Sequence, residues 1–339
     1  MIFYKNLKKH QKSQEKNLVF SLFEKGIKEN VDDSVAQTNI CKSFYNLTYS
    51  DGALKTGLGF KDLEVPASAD DLNTLHTFQY LSQEVESIEG LWLDCYYDKD
   101  EGFYDYRLYF YASDKKLYYA YLLDPFDGIV WGATDKLTTF PSFQCHYQVG
   151  NEDCIVFISD GVMVSFCGVI RYINNGAPEL ISCVEYYDKL FGITKTNRNS
   201  LIYTTNKNMN EWSEADSLKI NFLDDKGLFT KLVAFKDYVY LFRENGITRL
   251  SVYSSKNDFS ITHLYTATSK IFEKSVCVCG NEIFFMMNDG LYTFNGNIVS
   301  KRCENYDSFF KKLDNTNCCC ASYNGKYYIS TRCDFGDDE

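Results

Sequence analysis

Proline, histidine and tryptophan are scarce in this chain, at 4, 4 and 3 of 339 residues. The histidines, His10, His76, His146 and His263, are not spaced as metal ligands, and no CxxC pair is present. Gly57-Leu58-Gly59 is too short for a nucleotide-binding fingerprint, and no G-x-S-x-G elbow occurs. No apolar run reaches the length of a membrane-spanning helix, so no membrane partner is expected. Basic charge is also short: 35 Lys and Arg against 46 Asp and Glu give −11. That excludes a body that holds nucleic acid by charge alone, because phosphate binding needs clustered cations.

What the chain has in quantity is tyrosine and phenylalanine, 27 and 26 residues, within 45% apolar composition. Such residues favour pleated, half-buried surfaces, so the expectation is an all-β fold with a real core. Its length suits two ordinary domains or one large β domain. The first sixteen residues carry five lysines, and Leu18–Phe23 is too short and too interrupted for a signal h-region. This points to folding in a reducing cytoplasm. Thirteen cysteines, an odd number, then read as free thiols acting as small buried hydrophobes. Cys277 and Cys279 share a strand face, whereas Cys318, Cys319 and Cys320 alternate, and with Cys333 they lack a fourth ligand in metal spacing.

One unit recurs along the chain: strand, tight turn, bulky strand, second turn, third strand. It is clearest at 229–251, with Lys236-Asp237 and Glu244-Asn245-Gly246 as turns, and at 275–294, with Gly280-Asn281 and Asn288-Asp289-Gly290. Further copies lie at 91–122, 147–166, 180–205 and 317–331. Aligned first-turn residues are Asp105, Asp153, Asp188, Asp237, Asn281 and Gly325, so the period is about 44. Asn-Gly and Asp-Gly pairs supply the positive φ of tight hairpins. Poorer fourth strands fit at 129–134, 169–173, 216–222, 260–265 and 297–302, as expected of sheet edges. Residues 68–89 are the one helical candidate, with Ser68, Asp70 and Asp71 as caps. The pattern predicts a β-propeller of about six four-stranded blades.

The sixth unit stops after two strands. Lys42–Tyr49 and Ala53–Phe60, joined by Ser50-Asp51-Gly52, read as a hairpin that supplies the missing pair and closes the ring. The expected organisation is an N-terminal arm (1–35), a closing hairpin (36–66) and the blades (67–339). The alternative is that further blades follow residue 339.

The run Asn46 to Phe60, with Asp51-Gly52-Ala53-Leu54-Lys55-Thr56-Gly57-Leu58-Gly59-Phe60, followed by blades, resembles bacteriophage and prophage propeller proteins of the neck and tail. The packaged-DNA stabilisation (tail hub) family is the nearest. The resemblance implies a non-enzymatic structural protein of a virion, assembled in the host cytoplasm. Its implied partners are portal, adaptor or tail proteins and further copies of itself in a ring. DNA contact would come through the basic arm at Lys5, Lys8, Lys9, His10 and Lys12, and acidic channel walls would let DNA pass without sticking.

No catalytic, cofactor-binding or metal residues are assigned. Sialidase-like spacing occurs once, Thr205 to Trp212, without the Asp and Gly of that motif, and reads as a turn anchored by a packed Trp. Glycosidase propellers need paired carboxylates on inner strands, where mainly Glu185 stands; Asp188 and Asp237 are turn residues. His146 and His263 read as ordinary strand histidines, and Tyr118, Tyr119 and Tyr121 as packing between blades. A carbohydrate-binding or glycoside-cleaving propeller and a cellular protein-interaction propeller remain as the two other readings.

Overall fold

A computed structural model describes residues 47–50, 53–56, 85–98, 102–122, 129–137, 140–141, 144–149, 152–159, 162–166, 169–173, 178–204, 219–222, 224–253 and 259–333. The chain divides into two compact units, residues 1–62 with 303–308, and residues 63–302 with 309–339. In the first unit, β1 (Leu47–Ser50) pairs antiparallel with β2 (Ala53–Thr56), Leu47 facing Thr56. This is the centre of the hairpin expected at 42–60. The N-terminal arm at 1–35 and the helical candidate at 68–84 lie outside the described residues. Ile88 and Glu89, counted with that candidate, open a strand instead.

The second unit is all-β, with a β-propeller arrangement of four-stranded antiparallel sheets. The first sheet runs from β3 (Ile88–Asp98) through β4 (Phe103–Ala112) and β5 (Leu117–Leu122) to β6 (Ile129–Ala133). The second runs from β7 (Gln144–Val149) to β10 (Val169–Ile173), the third from β11 (Leu180–Tyr186) to β14 (Lys219–Asn221). The fourth runs from β15 (Phe229–Phe235) to β18 (Ser260–Thr266), the fifth from β19 (Ile271–Cys279) to β22 (Val299–Arg302). A two-stranded hairpin follows, β23 (Leu313–Tyr323) and β24 (Lys326–Cys333). In every sheet, strands adjacent in sequence are adjacent in space.

The fourth strands fall where the sequence places them, at 129–133, 169–173, 219–221, 260–266 and 299–302. Two first-turn assignments do not hold. Asp105 lies inside β4 opposite Tyr96, and Asp153 lies in the second strand of its sheet opposite Gln148. The strands turn earlier, between Asp98 and Phe103 and between Val149 and Glu152. Elsewhere the turn chemistry is as expected. Tyr187 and Asp188 both have positive φ, 55° and 59°, as do Asn324 and Gly325, 49° and 70°, the signature of a two-residue hairpin loop.

Packing explains the aromatic composition. Each large core cluster draws on two consecutive sheets: Tyr109 and Tyr111 of the first with Phe157 of the second, Phe191 and Tyr203 of the third with Phe229 and Leu241 of the fourth. Tyr240 and Phe242 of the fourth meet Phe285 and Phe294 of the fifth, with ring centroids 5.0 Å apart for Tyr240–Phe294 and 5.6 Å for Phe242–Phe285. Each such ring stabilises by about 1.5–3 kcal/mol through burial. Sheets also join by polar bonds. The hydroxyl of Ser182 on β11, fully buried, accepts the Leu232 N–H of β15 at 2.9 Å. Ser182→Ala leaves that N–H buried without an acceptor, so it should destabilise by about 1–3 kcal/mol, read as a lower urea midpoint with unchanged slope.

Candidate functional site

Six strands converge on one cavity of about 1140 Å³. Its wall takes Gly90 and Trp92 from β3, Cys145 from β7, Cys183 from β11, Lys231 from β15, Cys277 from β19 and Cys320 from β23. All six are the first strands of their sheets, because a meander that starts beside a shared axis always presents its first strand there. At Gly90 the lack of a side chain is required: a Cβ there would lie 2.5 Å from the Trp92 ring. That ring packs edge-on against Phe157 of the second sheet, 5.5 Å between centroids.

Consecutive first strands are tied by short polar contacts. His146 Nε2 on β7 lies 3.0 Å from Oδ1 of the buried Asp94 on β3. Cys145 and Cys183 tie β7 to β11 thiol to thiol, and Ser182 ties β11 to β15. Lys231 Nζ donates to the Val276 carbonyl of β19 at 2.6 Å, Cys277 Sγ donates to the Val278 carbonyl at 3.5 Å, and Cys320 of β23 neighbours Cys277. The last hairpin is held further by Tyr327, which stacks on Phe284 at 5.2 Å and donates its hydroxyl to the Ser275 carbonyl at 2.7 Å.

Charged groups on the wall are Glu89 and Glu273 against Arg198, Lys231 and Lys274. The charges on this wall are mixed. The two carboxylates here were not singled out from the sequence. Glu185, which was, is half-buried beside the turn, where it accepts the Asp188 N–H at 3.1 Å; burial raises its carboxyl above the usual range. Asp188 and Asp237 stand in turns, both exposed.

The thiols differ from one another. Hydrogen bonds from Cys320 and Ser322, together with the Lys231 ammonium, lower Cys277 to about 6. Its partner Cys320 is pushed strongly up by the same bond and by burial. Cys145 is also raised well above the usual value, by its bond with Cys183 and by burial. Cys318 is buried and rises to about 11. The expectation of buried thiols needs correction, since Cys95, Cys303 and Cys319 are exposed. Strand alternation is the reason: Cys319 points away from the face that carries Cys318 and Cys320. Cys333 pairs with Leu313 at the far end of the hairpin, away from the other three. Among the described residues no group of three His, Cys, Asp or Glu side chains is placed to hold a metal ion.

His263 is bracketed by Thr248 and Thr266, with ring nitrogens 3.4 and 2.9 Å from their hydroxyls. Tyr118 is buried, stacks on Phe110 at 4.9 Å and donates to Asp114 at 2.6 Å, and half-buried Tyr119 packs against the Tyr109 cluster. Trp212, the Gly57–Gly59 segment, His10 and His76 lie outside the described residues. No described helix is long and apolar enough to cross a membrane.

No protein-family model and no curated protein matches the chain. Among solved structures it is similar to Chaetomium thermophilum Raptor, at 11% identity and TM-score 0.42, over 63% of this chain and 21% of that one. It is also similar to BBS1N in complex with ARL6DN, at 12% identity and TM-score 0.35, over 58% of this chain and 75% of that one. A third is the extracellular domain of a hybrid two-component system from B. thetaiotaomicron, at 14% identity and TM-score 0.31, over 66% of this chain and 34% of that one. The chain thus spans about a fifth of Raptor.

Proposed function

We propose that this chain is a non-enzymatic assembly module: a propeller of six blades whose last blade is completed by the hairpin β1–β2 on the free edge of β24. One observation carries the reading. Large apolar side chains stand in water on strands at the two ends of the sheet series: Ile88, Leu91 and Leu93 on β3, 58–62% exposed, and Tyr323 and Tyr328 on the last hairpin. Several large exposed apolar side chains on one strand call for another protein surface. Completing the last blade gives it the width of the other five sheets, and the remaining apolar rim is available to neighbours. The phage-like run at 46–60 sets the context: a virion neck or tail, with portal, adaptor or tail proteins and further copies of this chain as partners. The basic arm is the proposed DNA contact.

The test is size and activity of the purified chain. A ring of several copies in sedimentation and negative-stain images is expected, and Leu91→Lys with Leu93→Lys should return it to monomer. A monomer at all concentrations overturns the ring. Glycan hydrolysis should be undetectable, and Glu89→Gln, Glu185→Gln and Glu273→Gln should leave assembly unchanged. Turnover that one of these three substitutions abolishes would overturn the non-enzymatic reading.

A further inference from the structure

We propose that Cys277 and Cys320 form a peroxide-driven, reversible disulfide that clamps the last hairpin to the fifth sheet from inside the cavity. The two residues sit on different sheets, on first strands β19 and β23 that pack against each other, and both side chains line the same cavity wall. Both are only half-buried and both line the cavity, so a molecule as small as hydrogen peroxide reaches them. Closing the bond requires Cα atoms within about 7 Å and an approach of the sulfurs to about 2.05 Å, which neighbouring strands allow.

The neighbours assign the two roles. Facing Cys277 are Lys231 from β15, Cys318, Cys320 and Ser322 from β23, Tyr327 from β24 and Cys279 on its own strand. The ammonium and the two donors favour thiolate at Cys277, while Cys320 keeps its proton. A thiolate is the nucleophile in such chemistry. Cys277 sulfur attacks one peroxide oxygen, the O–O bond breaks, and hydroxide leaves, giving the sulfenic acid. Cys320 sulfur then attacks Cys277 sulfur, the S–O bond breaks, and the Cys320 proton leaves with the hydroxyl as water. The first hydroxide takes up the proton that Cys277 had released. Two thiols lose two electrons, and one peroxide becomes two waters.

The molecule holds its own control. Cys145 and Cys183 make the same kind of contact between β7 and β11 on the same cavity wall. There the nearby charge is Glu185, and Cys145 is held as thiol. Proximity alone would oxidise both pairs; the Ser322 donor and the Lys231 charge beside Cys277 favour one.

The full chain, reduced and then given hydrogen peroxide at neutral pH, is alkylated, digested and mapped by mass spectrometry. Expected is a Cys277–Cys320 linked peptide that dithiothreitol reverses, with Cys145 and Cys183 still alkylated. Cys320→Ser should leave Cys277 as a sulfenic acid that dimedone traps. Lys231→Met should slow linkage by roughly threefold at about pH 5, where the thiolate fraction limits the rate, and little at neutral pH, where Cys277 is already mostly thiolate. Cys277 and Cys320 recovered fully alkylated, or linkage of Cys145–Cys183 first, overturns the proposal. The mapping is done on the unaltered chain, so a variant that fails to fold does not decide it.

Discussion

Removal of residues 1–61 should leave the remaining chain insoluble or molten, whereas removal of 1–16 should leave its melting temperature unchanged. The expectation rests on the two-strand width of the last sheet. Among the described residues the other five sheets of this unit have four strands, and β23 and β24 stand as a pair. Along β24, Lys326, Tyr328, Ser330 and Arg332 are exposed and alternate with half-buried Tyr327, Ile329 and Thr331. An unpaired edge next to exposed Tyr323 and Tyr328 is a template for foreign strands. In the closure proposed above, the hairpin β1–β2 covers that edge, and each cross-strand pair adds about 0.2–1 kcal/mol before burial is counted. Circular dichroism, dye binding and sedimentation of the two deletions make the measurement. A 1–61 deletion that melts cooperatively at the temperature of the full chain sinks the closure.

Arg243→Met should be strongly destabilising, at about 1.5–3 kcal/mol. Arg243 is fully buried, yet its charge is fully engaged. Its Nη1 donates to Asp224 at 2.9 Å, Nε and Nη2 donate to the Gly227 carbonyl at 2.9 and 2.8 Å, and its guanidinium lies 4.9 Å above the Phe229 ring. Met fills the volume but leaves the Gly227 carbonyl without the guanidinium and Asp224 with only the Lys226 N–H. Asp224→Asn should cost less, because Gly227 still accepts. The pair also sets a pH dependence. The Arg243 hydrogen bond holds Asp224 below the usual carboxylate range. A depressed carboxylate stabilises fully above its unfolded pKa, and that contribution is lost as pH falls through the folded value. Thermal melts from pH 7 into acid should fall less steeply in Asp224→Asn than in the natural chain. For a chain of 339 residues the Arg243→Met shift corresponds to roughly 2–4 °C.

Strand positions were legible because alternation and turn residues are local signals. The fourth strands are a fair example: 299–302 was reachable from charge and edge character alone. The two misplaced turns show the limit. A lone Asp such as Asp105 or Asp153 is as compatible with a strand as with a turn, and only pairing register decides. The site was less legible. Glu89 was hidden inside a segment that reads as helical. Glu273 sits two residues into β19, ahead of where the repeat is recognised. The thiol pairs join residues 38 and 43 apart in sequence, and no local pattern brings them together. One signal was present: Cys145, Cys183, Cys277 and Cys320 all fall on the first strand of a repeat, the strand that faces the cavity. Reading the repeats as columns, and not only as a period, would have found them.

The meander has a consequence for the order of events at synthesis. Every sheet in the second unit is built from strands consecutive in sequence, so each can form as it leaves the ribosome, from short-range contacts that order quickly. The proposed closure is the exception. Thr56 emerges roughly 270 residues before Lys326, and at about 5–20 residues per second that is a wait of some fifteen to fifty seconds. During that interval the hairpin β1–β2 is a ready-made strand pair with no strand to join. Two nascent chains on neighbouring ribosomes of one message could then exchange hairpins, each completing the other's last sheet. Spacing between ribosomes, and not only the equilibrium of the finished chain, would set how much of the product is cross-closed.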